Sequence, residues 1–196
     1  AVAVMKTSVA EPRDDKTSPL VGAVLVKPNG SVETAARGEL RYGDHAEFTL
    51  LERKNRAVAL DGSVLFATLE PCALGARSHP KLGCAERIVL ARINEVWIGI
   101  EDPDPTVAGQ GISYLQDHGV TVQMFHRGFQ EQIKEANAAF LEQATQRAIA
   151  ALTDAPKPAP AGFDLARPLS AAAWKGLDPT VLRSFASRIG VDETAG

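Results

Sequence analysis

The chain has 196 residues, of which 45% are hydrophobic and 23% are charged, values typical of a globular protein with a buried core. Its net charge of −3 argues against a large non-specific surface for nucleic acid, although a local basic groove is compatible with it. No apolar run approaches the roughly 18 residues of a membrane span. No basic segment followed by a hydrophobic one stands at the start, so we expect no secretory signal.

Apolar runs and turn residues predict a hairpin, a helix and a buried strand in the first half of the chain. Residues 20–27 and 31–37 are rich in β-forming side chains, and Pro28, Asn29 and Gly30 between them predict a turn. In chain order, the predicted elements are a helix over 2–10, strands over 20–27 and 31–37, a helix from about 44 to 56, and a strand over 64–69.

The second half predicts a βαβ unit followed by a long helix. A helix over 84–92 leads to a strand over 96–100, a proline-stiffened turn over 101–105, a helix over 111–118 and a strand over 120–125. Because a helix connects these two strands, we expect them to be parallel. From Gly128 onward, a long helix carries an apolar stripe that predicts core packing rather than a cofactor site: Phe129, Ile133, Ala136, Phe140, Ala144 and Ala148.

Composition changes at Thr153, which predicts the end of the first domain at about residue 152. Residues 153–168 are rich in proline and alanine and predict a stiff, extended linker. Residues 169–196 are too few for a core of their own, so they form a short helical tail or begin a further domain. An amphipathic helix is expected over 179–189, with its apolar face formed by Val181, Leu182, Phe185 and Ile189.

One histidine, one glutamate and two cysteines form the most informative motif. His45 and Glu47 stand at the predicted start of a helix, Cys72 follows a predicted strand, and Cys84 is predicted to open another helix. One imidazole and two thiolates leave a tetrahedral zinc ion one protein ligand short, as in catalytic zinc sites. Zinc lowers the pKa of water in the remaining position from about 16 towards 7. The carboxylate of Glu47 is placed to move protons, so we expect one zinc ion per chain with Glu47 as a catalytic residue.

Two structural interpretations compete with this one. Cys72 and Cys84 are the only cysteines and could form a disulfide, but that pairing leaves His45 and Glu47 without a role. A reduced, cytoplasmic setting fits the metal motif better. Glu47 also fits a capping box with Asp44, in which it would bond back to the backbone of the cap.

The loop between the two cysteines spans eleven residues, 73–83, and is polar and basic. Arg77, Ser78, His79 and Lys81 form a cluster that could bind a phosphate group or could simply be a solvated surface loop. His79 as a fourth ligand would close the metal site and make it structural.

The motifs resemble the cytidine deaminase-like superfamily, and most of all the pyrimidine deaminase domain of riboflavin biosynthesis. The order His-x-Glu, Pro-Cys and a second Cys is the signature of zinc-dependent nucleobase deaminases. The resemblance covers about residues 3 to 145 and rests on the matched segments 19–24, 43–47, 68–72, 102–111, 119–122 and 136–140. It implies a three-layer α/β/α fold with a five-stranded mixed sheet, extended here by a C-terminal helical segment, and often a homo-oligomer.

The resemblance also implies roles for individual residues. His45, Cys72 and Cys84 would be the zinc ligands and Glu47 the proton shuttle. The backbone N–H of Cys72 and the carbonyl near Glu70 would contact the reacting amidine. Ser18 and Asp102 are further expected substrate contacts. From the basic character of the loop between the cysteines, and not from the resemblance, we also expect contacts from Arg77, His79 and Lys81. Ser18 stands where the family usually has an asparagine that contacts the sugar, which favours a related deaminase of different specificity.

Three functional hypotheses follow. The first is hydrolytic deamination of a free aminopyrimidine base, nucleoside or nucleotide, with a small-molecule substrate and no membrane. The second applies the same chemistry to a base in single-stranded DNA or RNA, which the acidic charge and the 6% aromatic content disfavour. The third is a non-catalytic, zinc-stabilised binding or sensor module of a larger protein, suggested by the proline linker and the short tail.

Overall fold

Five strands form one mixed sheet at the centre of the protein. Their bounds are β1 Gly22–Val26, β2 Val32–Ala36, β3 Val64–Leu69, β4 Glu95–Ile100 and β5 Thr121–Met124. The order across the sheet is β2-β1-β3-β4-β5. β1 is antiparallel to β2 and β3, whereas β3, β4 and β5 are parallel to one another. The predicted parallel pairing of the last two strands, β4 and β5, is thus confirmed.

This computed structural model describes residues 1–11, 17–73, 82–104 and 108–153. Residues 1–153 form one compact unit. The predicted linker at 153–168 and tail at 169–196 lie outside the described residues, except for Thr153. Within the described ranges, no helix combines the length and the apolar composition needed to cross a membrane.

Six helices accompany the sheet in the described part of the chain. They are α1 Val2–Met5, α2 Ala46–Phe48, α3 Cys84–Leu90, α4 Gln110–Asp117, α5 Arg127–Ala136 and α6 Ala138–Thr153. A π-helical segment, Thr49–Lys54, continues α2. Wide π-turns of this kind are uncommon and occur frequently at functional sites.

Helices cover both faces of the sheet, so the predicted α/β/α architecture is confirmed. On one face Leu65 and Ile98 join the main core with Leu50, Ile88 and Leu115 from the segments around α2, α3 and α4. On the other face Met5 of α1 and Ile133 of α5 form a second buried cluster.

Two glycines allow the second layer to approach the sheet closely. A Cβ atom at Gly22 would lie 2.3 Å from the backbone nitrogen of Met5, and one at Gly99 would lie 2.5 Å from Cδ1 of Ile133. The Met5 atom belongs to the backbone, and a Cβ atom at Gly99 would also lie 2.4 Å from the backbone oxygen of Thr68, so neither position has room for a side chain. Both glycines therefore allow the helices to pack directly against the strands.

Two predicted helix ends and one predicted core position differ from the structure. α1 ends at Met5 rather than at residue 10, because the hydroxyl of Ser8 bonds to the backbone nitrogen and oxygen of Val21 and holds the chain in an extended path. α3 ends at Leu90, and Arg92 takes a left-handed φ of 56°. Phe129 was expected in the core but is 52% exposed, because it packs only edge-on against Phe125 at the margin of the sheet.

The long C-terminal helix predicted from Gly128 is two helices with a break at Asn137. Asn137 has φ −105° and ψ 17° and is only 5% exposed. Its side-chain oxygen accepts a hydrogen bond from the Leu20 nitrogen at 2.7 Å, and its amide group donates to the Leu20 oxygen at 3.2 Å. Asparagine competes with the helical backbone for hydrogen bonds, and here it uses them to fix the chain that enters β1.

Replacement of Asn137 by alanine should therefore destabilise the fold. The variant leaves the Leu20 N–H and C=O without these partners, and each loss costs about 1–3 kcal/mol, so we expect a decrease of about 3 kcal/mol in the free energy of unfolding. Urea denaturation measures it. The matched control is Asn94→Ala at an exposed position, for which a change within about 0.5 kcal/mol is expected. Equal effects of the two substitutions would contradict this account of the helix break.

Candidate active site

The three predicted zinc ligands converge at the carboxyl ends of the parallel strands: His45, Cys72 and Cys84. The Sγ atom of Cys72 lies 3.7 Å from Nδ1 of His45, and the Sγ atom of Cys84 lies 3.4 Å from the same nitrogen. All three ligand atoms are within 4.8 Å of one another. Zinc with Zn–S of about 2.3 Å and Zn–N of about 2.0 Å at tetrahedral angles requires a sulfur–nitrogen separation of about 3.5 Å. The three side chains therefore fit one zinc ion.

The topology of the sheet brings these residues together. Cys72 lies just beyond the carboxyl end of β3, where the loops of parallel strands form pockets. Cys84 is the first residue of α3, and His45 caps α2. The backbone nitrogen of Cys84 donates a hydrogen bond to Sγ of Cys72 at 3.1 Å, and the Ala85 nitrogen donates to the Cys72 carbonyl at 3.1 Å.

The local electrostatics favour thiolate at Cys72. A hydrogen bond with the Cys84 side chain and the neighbouring His45 lower the pKa of the Cys72 thiol to about 4. The thiolate is the form that binds zinc. The alternative disulfide between Cys72 and Cys84 is not formed in the structure.

Glu47 lies in the first turn of α2 and is only 3% exposed. Burial raises the pKa of its carboxyl group, and the electrostatic interaction with His45 partly offsets that effect. The helix cap is His45, not Asp44, and it makes no side-chain capping hydrogen bond, so the capping-box alternative is not observed. A buried carboxylate with a raised pKa, two residues from a metal ligand, suits proton transfer near neutral pH.

Ser18 and Asp102 lie on the same edge of the sheet. Because β1 is antiparallel to β3, the segment of Ser18 before β1 lies beside the end of β3 that leads to Cys72. Asp102 follows β4, and burial raises the pKa of its carboxyl group. These two residues remain predicted substrate contacts. The predicted contacts Arg77, His79 and Lys81 lie outside the described residues.

The side chain of Glu70 binds to the protein's own backbone, whereas the sequence-based expectation concerned the carbonyl near Glu70. Its carboxylate is 5% exposed and accepts hydrogen bonds from the backbone nitrogens of Asp102, Gly109, Gly111 and Ile112. Backbone N–H groups of the protein thus bind the Glu70 side chain, and the carbonyl near Glu70 remains a predicted substrate contact. The sequence indicates that the Glu70 side chain needs partners within the protein, because this charged residue directly follows an apolar strand. Burial of an unpaired charge there would cost free energy.

The fold and the three convergent ligands define a class of zinc-dependent deaminases with an α/β/α core. A family model for the cytidine and deoxycytidylate deaminase zinc-binding region matches residues 1–100. The chain belongs to this family.

Individual relatives agree with that assignment. The chain is 40% identical to the riboflavin biosynthesis protein RibD of Bacillus amyloliquefaciens over 126 residues, which are 63% of this chain and 31% of RibD. The chain therefore spans about a third of the length of that curated relative.

Solved structures show the same fold. The diaminohydroxyphosphoribosylaminopyrimidine deaminase/5-amino-6-(5-phosphoribosylamino)uracil reductase of Thermotoga maritima superimposes with a TM-score of 0.60 at 28% identity, over 75% of this chain and 40% of that one. The Aspergillus oryzae Rib2 deaminase, a C-terminal deletion mutant, superimposes with a TM-score of 0.55 at 25% identity, over 78% of this chain and 94% of that one. The predicted resemblance to the riboflavin-type deaminases is thus confirmed.

Substitution of His45 by alanine should abolish stoichiometric zinc binding, because two thiolates alone hold the ion much less tightly. Zinc content after gel filtration, measured by mass spectrometry, should fall from about one per chain to near zero. The matched control is His118→Ala in an exposed turn, which should keep zinc stoichiometric. Full zinc occupancy in the His45 variant would show that the ion binds elsewhere.

Proposed function

We propose that this protein is a hydrolytic deaminase that removes the exocyclic amine from an aminopyrimidine base, nucleoside or nucleotide. The observation that carries the proposal is the buried carboxylate of Glu47 beside a group of one imidazole and two thiols. One imidazole and two thiolates match a ligand set found in catalytic zinc sites.

When bound, the zinc ion supplies Lewis-acid activation of a water molecule at neutral pH. His45, Cys72 and Cys84 would hold the ion, and the remaining chemistry belongs to the residues around it. Membership of the zinc-binding deaminase family supports this use of the three ligands.

Glu47 would act as the general base and then as the general acid. Its carboxylate takes one proton from the attacking water while the water oxygen bonds to the carbon that bears the amine. The same carboxyl group delivers that proton to the adjacent ring nitrogen. It then moves the remaining hydroxyl proton to the amine, the carbon–nitrogen bond breaks, and ammonia and a ring carbonyl are the products.

The backbone N–H of Cys72 would orient the reacting amidine. The position of this group is well fixed, since the Cys72 carbonyl accepts a hydrogen bond from Ala85 and its sulfur accepts one from the Cys84 nitrogen. A donor fixed before the substrate arrives stabilises developing charge without reorganisation.

The names of the relatives suggest a phosphoribosylated diaminopyrimidine as the first compound to assay. Ser18, Asp102 and the loop residues Arg77, His79 and Lys81 are the proposed contacts to groups beyond the ring. We place the protein in the cytoplasm, where the thiol ligands stay reduced. A homo-oligomer is compatible with this function.

Substitution of Glu47 by glutamine should abolish ammonia release and leave zinc stoichiometric. The amide fits the same space but cannot accept a proton, and loss of general acid–base catalysis lowers kcat by about 10²–10⁴-fold. A coupled ammonia assay over aminopyrimidine bases, nucleosides, nucleotides and single-stranded oligonucleotides measures this and identifies the substrate class.

The matched control is Glu131→Gln on the exposed face of α5, where the carboxylate pairs with Arg127 in the preceding turn. This variant should retain full kcat. Turnover by the Glu47 variant at the wild-type rate would refute the mechanism. Activity on oligonucleotides alone would instead support a nucleic-acid deaminase.

A further inference from the structure

The Glu70 carboxylate is the most extensively hydrogen-bonded acidic side chain beside the candidate active site. Oε2 accepts from the nitrogens of Asp102 at 3.0 Å and Gly109 at 2.9 Å. Oε1 accepts from the nitrogens of Gly111 at 2.8 Å and Ile112 at 3.1 Å. An ionised carboxylate offers about four acceptor positions, so these donors satisfy it fully.

The four donors belong to two segments that are separate in sequence from β3. Asp102 lies in the turn after β4, whereas the other three lie at the first turn of α4. Bonds between a carboxylate and backbone N–H groups are about twice as strong as bonds between neutral groups. Glu70 therefore binds both segments to the end of β3, next to the peptide that leads into Cys72.

The helix α4 also contacts this peptide directly. A Cβ atom at Gly111 would lie 1.9 Å from the carbonyl oxygen of Pro71, so only glycine allows the helix to come so close. On the other side, a Cβ atom at Gly83 would lie 2.8 Å from the Cys72 carbonyl oxygen. The segment Pro71–Cys72 is thus held between the first turns of α3 and α4.

We infer that the carboxylate of Glu70 is a positioning group, which fixes the thiolate and the backbone N–H of Cys72 without itself touching the metal ligands or the substrate. The part that concerns the N–H rests on the proposed deaminase function, and the part that concerns the thiolate does not. Because the carboxylate acts through the backbone, its loss should change the geometry at Cys72 more than it changes substrate affinity.

Glu70→Gln tests the inference. The side chain keeps its size, but one oxygen becomes an NH₂ group that faces two backbone donors, so two of the four hydrogen bonds are lost. A displacement of the order of 1 Å in an active site can cost about 10²-fold in rate. We expect kcat to fall about 10- to 100-fold, KM to change less than about threefold, and zinc to remain bound.

A spectroscopic measurement separates this inference from the proposed function. In the Co²⁺-substituted protein, Glu70→Gln should shift the thiolate-to-cobalt charge-transfer band, which reports on Cys72 and Cys84 and needs no substrate. The matched control is Glu95→Gln at the opposite end of β4, where the carboxylate accepts a hydrogen bond from the Trp97 ring. This control should change neither the spectrum nor kcat.

The outcomes decide between the two claims. If Glu70→Gln shifts the cobalt spectrum but the wild-type protein deaminates none of the compounds tested, the proposed function is refuted and the positioning role is supported. Wild-type kcat and an unchanged spectrum in folded Glu70→Gln would overturn the positioning role and keep the function.

If the Glu70 variant does not fold, amide hydrogen exchange in the wild-type protein gives the answer. Since coupling between two sites is reciprocal, zinc bound at Cys72 should slow the exchange of the Gly109, Gly111 and Ile112 amides at least tenfold relative to the zinc-free protein. The amide of Leu141 in α6 is the internal control and should change much less. No change, or an equal change at all four amides, would overturn the inference.

Discussion

The close approach of two thiols and one imidazole is the constraint on which the rest of the site depends. Three such groups within 4.8 Å of one another are soft, electron-rich donors that leave little room for anything but a small cation. A cation bound at this point would offset the desolvation free energy of the buried Cys72 thiolate and Glu47 carboxylate. The chemistry proposed for the site therefore depends on one metal position, and His45 and Cys84 reach it from the starts of α2 and α3.

The mixed sheet explains how three distant segments reach that position. The parallel strands β3 and β4 end at the same edge, and the antiparallel β1 begins there, so the peptides that enter β1 and leave β3 lie side by side. Two small networks then fix these peptides. Asn137 bonds to Leu20 at the start of β1, and Glu70 bonds to the first turn of α4 beyond β3. Both side chains are buried polar groups, and the hydrogen bonds by which they fix these peptides are made to backbone atoms.

Much of this could be predicted from the sequence where the signal is local. β3 has the bounds that its apolar run predicts, Val64–Leu69, and the hairpin turn closes at Gly30 as its Pro-Asn-Gly sequence indicates. The three zinc ligands could also be predicted, because the types of these residues and their order along the chain identify them as metal ligands. The break at Asn137 could not, since it depends on a hydrogen bond to Leu20, 117 positions away in the chain. The carboxylate of Glu70 is a similar case, because its donors lie 32 to 42 residues further on.

The central claim is that one imidazole and two thiolates hold a zinc ion with a fourth position free for chemistry. X-ray absorption at the zinc edge of the purified protein tests it most directly. The account predicts two sulfur neighbours at about 2.3 Å and two nitrogen or oxygen neighbours at about 2.0 Å, with the scattering pattern of a single imidazole. A spectrum without sulfur neighbours, or one that requires a second imidazole to close the coordination shell, would contradict it.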